Sequence, residues 1–174
     1  VKRKVFKEIY DTLGGNLRII VSAAAPIDKK VGVWLEDIGI SFLQGYGLTE
    51  TAPLICNASP FKTSVGSTGI AAYGVQIKLE NVNPETGVGE LVVKGDNVML
   101  GYYNNPEKTE EAFIQNPLNP YYPEKIYKTG DIAKYNERGE IIFLARKDHQ
   151  IKHMGHRIEL GEIETAINSI DAID

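Results

Sequence analysis

Cysteine is nearly absent from this chain: Cys56 is the only one among 174 residues. A lone cysteine excludes a disulfide framework and any zinc site built from cysteine ligands. Excess positive charge is also lacking, because 19 Lys and Arg residues face 23 Asp and Glu residues, which gives a net charge of −4. That balance argues against a nucleic-acid-binding surface, which needs clustered basic residues.

Long apolar runs are missing as well, so the sequence predicts no transmembrane segment. No secretory signal peptide precedes the opening helical pattern, and we expect a cytoplasmic protein. The composition that remains, 43% hydrophobic and 24% charged, is typical of a globular protein. The chain begins without Met and ends within a helical pattern, which predicts a fragment of a longer protein.

The first 60 residues have the pattern of a βαβ unit. An opening helix that ends at Gly14 has one apolar face, formed by Val5, Ile9 and Leu13 with Phe6 and Tyr10 beside them. The apolar run 17–21 predicts a strand buried on both faces, and 40–43 predicts a second strand. Between them, the spacing over 27–38 predicts a helix with Pro26 in its first turn. A helical crossover makes the two strands parallel.

From residue 61 to residue 147 the pattern changes to short alternating stretches separated by turn sequences, among them 83–87 and 136–139. This pattern predicts an antiparallel or barrel-like β subdomain. A helix over 106–113, capped by Asn105, interrupts it. Near the end, a short strand from Gln150 leads past Gly155 into a helix over 161–170. The predicted strands are 75–79, 90–94 and 140–144. The fold class is therefore α/β followed by a β-rich unit.

Two loops follow the predicted parallel strands and so lie at one edge of the sheet, where ligands bind in open α/β sheets. The first loop, 22–26, is rich in alanine and leaves room for a flat ring. In the second, glycines let the backbone approach a ligand, a tyrosine offers a stacking face and a carboxylate suits Mg²⁺. Its candidate residues are Gln44, Gly45, Tyr46, Gly47, Thr49 and Glu50. An ordinary glycine-containing turn explains the same residues.

Two further residues have side chains that suit a nucleotide. Asp131, placed after a predicted strand, can accept both hydroxyls of a ribose, although a turn-capping role explains it equally well. Arg146 can pair with a phosphate or hydroxyl group, although a solvated linker explains it too.

Two other features favour structural explanations. The three histidines, His149, His153 and His156, do not predict a metal site. Their spacing suits metal binding on a continuous helix, whereas this segment has the pattern of a strand and a turn. Cys56 is expected to be a packed thiol, since no His–acid arrangement accompanies it.

The order of these segments resembles the adenylate-forming, or AMP-binding, superfamily of acyl-CoA synthetases, luciferases and nonribosomal peptide synthetase adenylation domains. Residues 44–51 are similar to its aromatic-Gly-x-Thr-Glu motif, and 89–102 to its Gly-Glu-Leu…Gly-Tyr motif. Residues 127–131 match Tyr-x-Thr-Gly-Asp, and 146–164 match the long motif that runs through the family's hinge.

The resemblance implies activation of a carboxylic acid with ATP and Mg²⁺ to an acyl-adenylate, followed by transfer to the thiol of CoA or of a carrier-protein pantetheine. It implies that Thr49 contacts the α-phosphate and acts in catalysis with Glu50, which holds Mg²⁺. Asp148 is then the hinge of the small C-terminal domain. Gly155 lies where that domain meets the active site during transfer to the thiol. The implied nucleotide-binding residues are Ala24, Ala25, Gln44, Gly45, Tyr46, Gly47, Thr49, Asp131 and Arg146.

The resemblance also implies a division of the chain. Residues 1–60 would end the α/β subdomain, 61–147 form the β-rich subdomain of the large domain, and 148–174 form the hinge and the start of a small α+β C-terminal domain. The family's phosphate loop and catalytic lysine are not among these residues, and Lys152 lies within the hinge motif. We therefore expect this chain to be inactive when isolated.

The acid is the least determined part of the interpretation. Gly47 and Leu48 favour a bacterial medium- or long-chain fatty-acid–CoA ligase, because Gly47 would leave the acyl pocket open. Residues 153–164 instead resemble the amino-acid-activating branch, so amino-acid adenylation and loading onto a carrier protein is the alternative. A non-catalytic interaction module is the alternative of a different class.

Overall fold

A computed structural model describes residues 2–23, 27–60, 62–147, 151–153, 156–158 and 160–170. Its N-terminal part contains helices α1 and α2, strand β1, helix α3 and strand β2; their bounds are Lys2–Val5, Lys7–Thr12, Ile19–Ser22, Lys29–Ile38 and Ser41–Gln44. Strands β1 and β2 pair in parallel, with Ile19 opposite Ser41. The predicted βαβ unit is thus confirmed.

The opening helix buries only part of its predicted apolar face: Phe6, Ile9 and Tyr10 pack into the core. Its two pieces, α1 and α2, are separated at Phe6, and Val5 and Leu13 are 70% and 42% exposed. Tyr10 is instead buried, and its hydroxyl donates to the carbonyl of Ile38 at 3.0 Å. This bond ties the opening helix to the end of α3. The predicted end is confirmed, because Gly14 has a φ of +84°.

Two further expectations for this unit were wrong. Helix α3 was predicted to begin near Pro26, but it begins at Lys29. The reason is its cap, because the Asp28 side chain accepts from the Lys30 amide at 2.8 Å. Pro26 itself lies outside the described residues. Strand β1 is not buried on both faces, since Ile19 and Val21 are 41% and 64% exposed. Among the described residues, β1 pairs with β2 alone.

The β-rich part is antiparallel, as predicted. A two-stranded pair, β3 and β4, precedes a five-stranded sheet of β5 to β9. The bounds of β3 to β9 are Cys56–Asn57, Ile70–Ala71, Val75–Glu80, Gly89–Gly95, Phe113–Gln115, Lys125–Tyr135 and Ile141–Arg146. The long strand β8 pairs with β6 on one edge, and its other edge is shared by β7 and then β9. Strand β8 is therefore the centre of the sheet.

Local sequence signals explain the remaining elements of this part. Helix α4, Pro106–Ala112, is capped by Asn105, whose side chain accepts from the Lys108 amide at 3.0 Å. Phe113, predicted to end this helix, instead begins β7 and is buried in the core. The turn at Asn83 forms as predicted, because its side chain accepts from the Glu85 amide at 2.9 Å.

The last described elements are the antiparallel pair β10, Ile151–His153, and β11, His156–Ile158, followed by helix α5, Leu160–Asn168. The predicted strand and helix are both present, although Gln150 and Gly155 lie outside the described residues. Within the described part of the chain, no helix is long and apolar enough to span a membrane.

One hydrophobic core connects the 44–56 region to the sheet. Leu48, Ile55 and Cys56 pack with Leu91 and Val93 of β6 and with Tyr127 of β8. This packing places the loop after β2 beside β8, which carries Asp131.

Candidate functional site

The residues at which the chain leaves β1 and β2 lie side by side, as their order in the sequence predicts. The Gly45 amide donates to the Ser22 carbonyl at 2.8 Å, which extends the parallel pairing by one residue. Gln44 ends β2 opposite Ser22, and Ala23 is exposed at this edge. Ala24 and Ala25 lie outside the described residues.

Three predicted site residues that are distant in sequence meet around one carboxylate. The Tyr46 hydroxyl donates to Oδ2 of Asp131, 85 residues away. Nη1 of Arg146 lies 3.0 Å from Oδ1 of Asp131 and also donates to the Thr129 carbonyl at 3.0 Å. Asp131 was predicted to follow a strand, and this was wrong. It lies within β8, where Arg146 of β9 is its register partner.

Burial strengthens these contacts. Asp131 is 2% exposed, so its carboxylate depends on protein donors. Burial raises the pKa of Tyr46, and the neighbouring Asp131 carboxylate raises that pKa further. Tyr46 is therefore a neutral donor throughout the physiological range. Its ring also lies 6.2 Å from the Phe143 ring, centroid to centroid, a neighbour that the sequence did not indicate.

Glu50 occupies a short 3₁₀ helix, Thr49–Thr51, that directly follows this loop. Thr49 is exposed, whereas Glu50 is 2% exposed. The Tyr102 hydroxyl donates to Oε1 of Glu50 at 2.9 Å, and the Met99 amide donates to the Glu50 carbonyl at 2.9 Å. Tyr102 is the last residue of the 89–102 motif. Its contact with Glu50 was not predicted from the sequence.

The donor set fits a magnesium ion that is bound together with a nucleotide. Magnesium is commonly held by one or two carboxylates, with phosphate oxygens and water completing the shell. Glu50 would supply one such carboxylate, to which the Tyr102 hydroxyl donates. Among the described residues there is no group of three or more His, Cys, Asp or Glu side chains that could hold a metal without a nucleotide.

Gly47 and Leu48 have packing reasons that differ from the predicted open acyl pocket. A Cβ at Gly47 would overlap the carbonyl oxygen of Pro53, whose backbone passes directly over it. Leu48 is buried in the core with Ile55 and Cys56. The close approach of Pro53 thus explains Gly47, and core packing explains Leu48. Neither residue identifies the acid.

The remaining candidates are placed as follows. Cys56 is fully buried, which confirms the packed thiol, and burial raises its pKa to about 11. His153 and His156 are register partners across the β10–β11 pair. Asp148, His149 and Gly155 lie outside the described residues.

The chain belongs to the AMP-binding enzyme family, which matches residues 2–103. It is 50% identical over 176 residues to tyrocidine synthase 3 of Brevibacillus parabrevis, an alignment that covers 98% of this chain and 2% of that protein. It is 35% identical over 170 residues to the nonribosomal peptide synthetase atnA of Emericella nidulans, covering 90% and 2%.

The fold agrees with a solved relative. PA1221, an NRPS protein containing adenylation and PCP domains, superposes with a TM-score of 0.75 and 25% identity, covering 97% of this chain and 36% of that chain. This chain therefore spans about a third of that structure and a far smaller share of the two synthetases.

Proposed function

We propose that this chain is part of an adenylation domain that activates an amino acid with ATP and loads it onto a carrier protein. The observation that carries this proposal is the similarity to peptide synthetases: 35% identity to a nonribosomal peptide synthetase over 90% of the chain, alongside the 50% identity to tyrocidine synthase 3. It favours the amino-acid alternative of the sequence analysis over the fatty-acid reading.

The geometry supports a nucleotide site in two adjacent parts. Asp131, with Tyr46 and Arg146 on its two oxygens, is suited to accept ribose hydroxyls. The Tyr46 ring offers a face for adenine, and the Arg146 ion pair orients the Asp131 carboxylate. Because Tyr46 and Glu50 are only four residues apart, one loop connects the nucleoside part to the phosphate part.

The exposed Thr49 hydroxyl is the group of this chain that would contact the α-phosphate. Glu50 would hold magnesium there, which, when bound, stabilises the negative charge that builds on the phosphate oxygens. Tyr102 keeps the Glu50 carboxylate in one orientation before the nucleotide arrives, which limits reorganisation during the reaction.

The domain division enters the same proposal. Residues 1–147 would belong to the large domain, with Asp148 as the hinge to a small domain in which Gly155 meets the carrier thiol. The chain covers 36% of PA1221, and this share supports a site that needs further parts of the protein.

ATP–pyrophosphate exchange by the full-length protein tests this function. The acids compared are the proteinogenic amino acids, fatty acids of medium and long chain, and aryl acids. We expect exchange with an amino acid and transfer to a phosphopantetheinylated carrier protein. Exchange with fatty acids together with transfer to free CoA would support the ligase reading, and no exchange with any acid would contradict both. The isolated 174-residue chain serves as the inactive comparison.

A further inference from the structure

One segment of the chain, 97–102, holds the loop that carries Glu50. The side-chain nitrogen Nδ2 of Asn97 donates to the backbone carbonyls of Thr51 and Leu54 at 2.7 and 2.8 Å. The Met99 amide donates to the Glu50 carbonyl at 2.9 Å. These bonds hold the backbone at Glu50 and in the residues that follow it, and the Tyr102 hydroxyl then holds the carboxylate itself.

Tyr102 is positioned by the sheet rather than by the loop that it contacts. Its ring meets the ring of Phe113 edge-on, with centroids 5.7 Å apart, and Phe113 stacks on Tyr127 at 4.9 Å. Phe113 and Tyr127 are both buried. The Tyr102 amide also donates to Oγ1 of Thr109 in α4, at 2.9 Å. The three rings therefore form an aromatic column that stands on β8 and ends at Glu50.

We propose that Tyr102 is a positioning residue that sets the orientation of Glu50 for the magnesium–nucleotide complex. The inference rests on the proposed function. A hydrogen bond to one oxygen of a metal-binding carboxylate limits its rotation, and such outer contacts typically change metal affinity by about 10- to 100-fold when removed. The aromatic column ties the position of this donor to β7 and β8 as well as to the 44–51 loop.

The test is Tyr102→Phe in the full-length protein, a change that removes the hydroxyl and keeps the edge contact with Phe113. Mn²⁺ replaces Mg²⁺ as a paramagnetic probe, and its dissociation constant in the presence of ATP is measured by electron paramagnetic resonance. We expect Mn²⁺ binding to weaken by roughly 10-fold or more. ATP binding measured in EDTA should stay unchanged, because Tyr102 acts on the metal-binding carboxylate alone.

Two controls separate positioning from general loss of structure. Tyr103→Phe changes the neighbouring tyrosine, which is 94% exposed, and should leave both constants unchanged. In a Glu50→Gln background, Tyr102→Phe should have little further effect, since a residue that acts through Glu50 has nothing left to orient. This cycle decides the proposal even where Tyr102→Phe alone lowers stability.

The outcomes are distinct. Unchanged Mn²⁺ binding in Tyr102→Phe overturns the inference, as does an equal loss of metal-free ATP binding, which would indicate a collapsed loop. Additive losses in the Glu50→Gln background would also overturn it. If the unmodified protein binds no ATP, the proposed function fails instead, which is a separate result.

Discussion

Arg146 and Asp131 are register partners on neighbouring strands, and their side chains form an ion pair with Nη1 and Oδ1 3.0 Å apart. Both side chains are largely buried, and the Tyr46 hydroxyl completes the arrangement. The sheet itself, rather than a surface loop, thus fixes the carboxylate that we propose for the ribose.

Asp131→Ala should weaken ATP binding by about 1–3 kcal/mol, the usual effect of losing a hydrogen bond to a charged group. Calorimetric titration of the full-length protein with ATP measures this. Asp131→Asn keeps the shape of the side chain, and Asp37→Ala, at an exposed position of α3, is the matched control. Equal ATP affinity in the Asp131 and Asp37 variants would contradict the ribose role.

Tyr46→Phe should lower the free energy of unfolding by about 1–3 kcal/mol, because it removes a donor to a buried carboxylate. Urea unfolding followed by circular dichroism is the measurement. Tyr73→Phe, at a fully exposed tyrosine, should change the midpoint little. If Tyr46 acts through Asp131, combining Tyr46→Phe with Asp131→Ala loses less than the sum of the two; strict additivity would argue against the contact.

Gly47→Ala should destabilise the chain by about 1–3 kcal/mol or more, since its Cβ would overlap the Pro53 carbonyl and force the backbone to shift. Gly45→Ala is the matched control two residues away: a Cβ there meets Ala23 at an ordinary 3.6 Å. Comparison of the two urea midpoints distinguishes packing from pocket size. A stable Gly47→Ala protein with altered acid preference would restore the open-pocket interpretation.

Cys56 should react slowly with a thiol reagent in the native chain. Burial raises its pKa from 9.0 to about 11, which lowers the thiolate fraction at pH 8 by about 100-fold relative to the unfolded chain. Because the native pKa is the higher one, this contribution to stability is complete below pH 9 and is lost as the pH rises towards 11. Since Cys56 is the only cysteine, the absorbance of the released thiol reports it directly. Equal rates in native and urea-unfolded chains would contradict the burial.

Elements that depend on local signals were predictable from the sequence. The caps at Asn105 and Gly14, and the turn at Asn83, depend on neighbouring residues and were placed correctly. The βαβ order also predicted that Ser22 and Gly45 would be adjacent.

Long-range packing was not predictable in this way. In β8 the buried side of the strand is occupied by Tyr127, Thr129, Asp131 and Ala133. Two polar residues at buried positions remove the apolar alternation that marks a strand, so the strand was recognised only as a motif. The contact between Tyr102 and Glu50 spans 52 residues, and no local pattern indicates it.

The position of β8 has a consequence for how the site moves. Asp131 lies on β8, which is paired with β6 along one edge and with β7 and β9 along the other, so exchange of the β8 backbone amides with solvent deuterium requires the sheet to open. Glu50 lies in a single short turn, Thr49–Thr51, which accepts three hydrogen bonds from the 97–102 segment. We therefore expect the strand that carries the proposed ribose carboxylate to exchange more slowly than the 49–51 turn that carries Glu50.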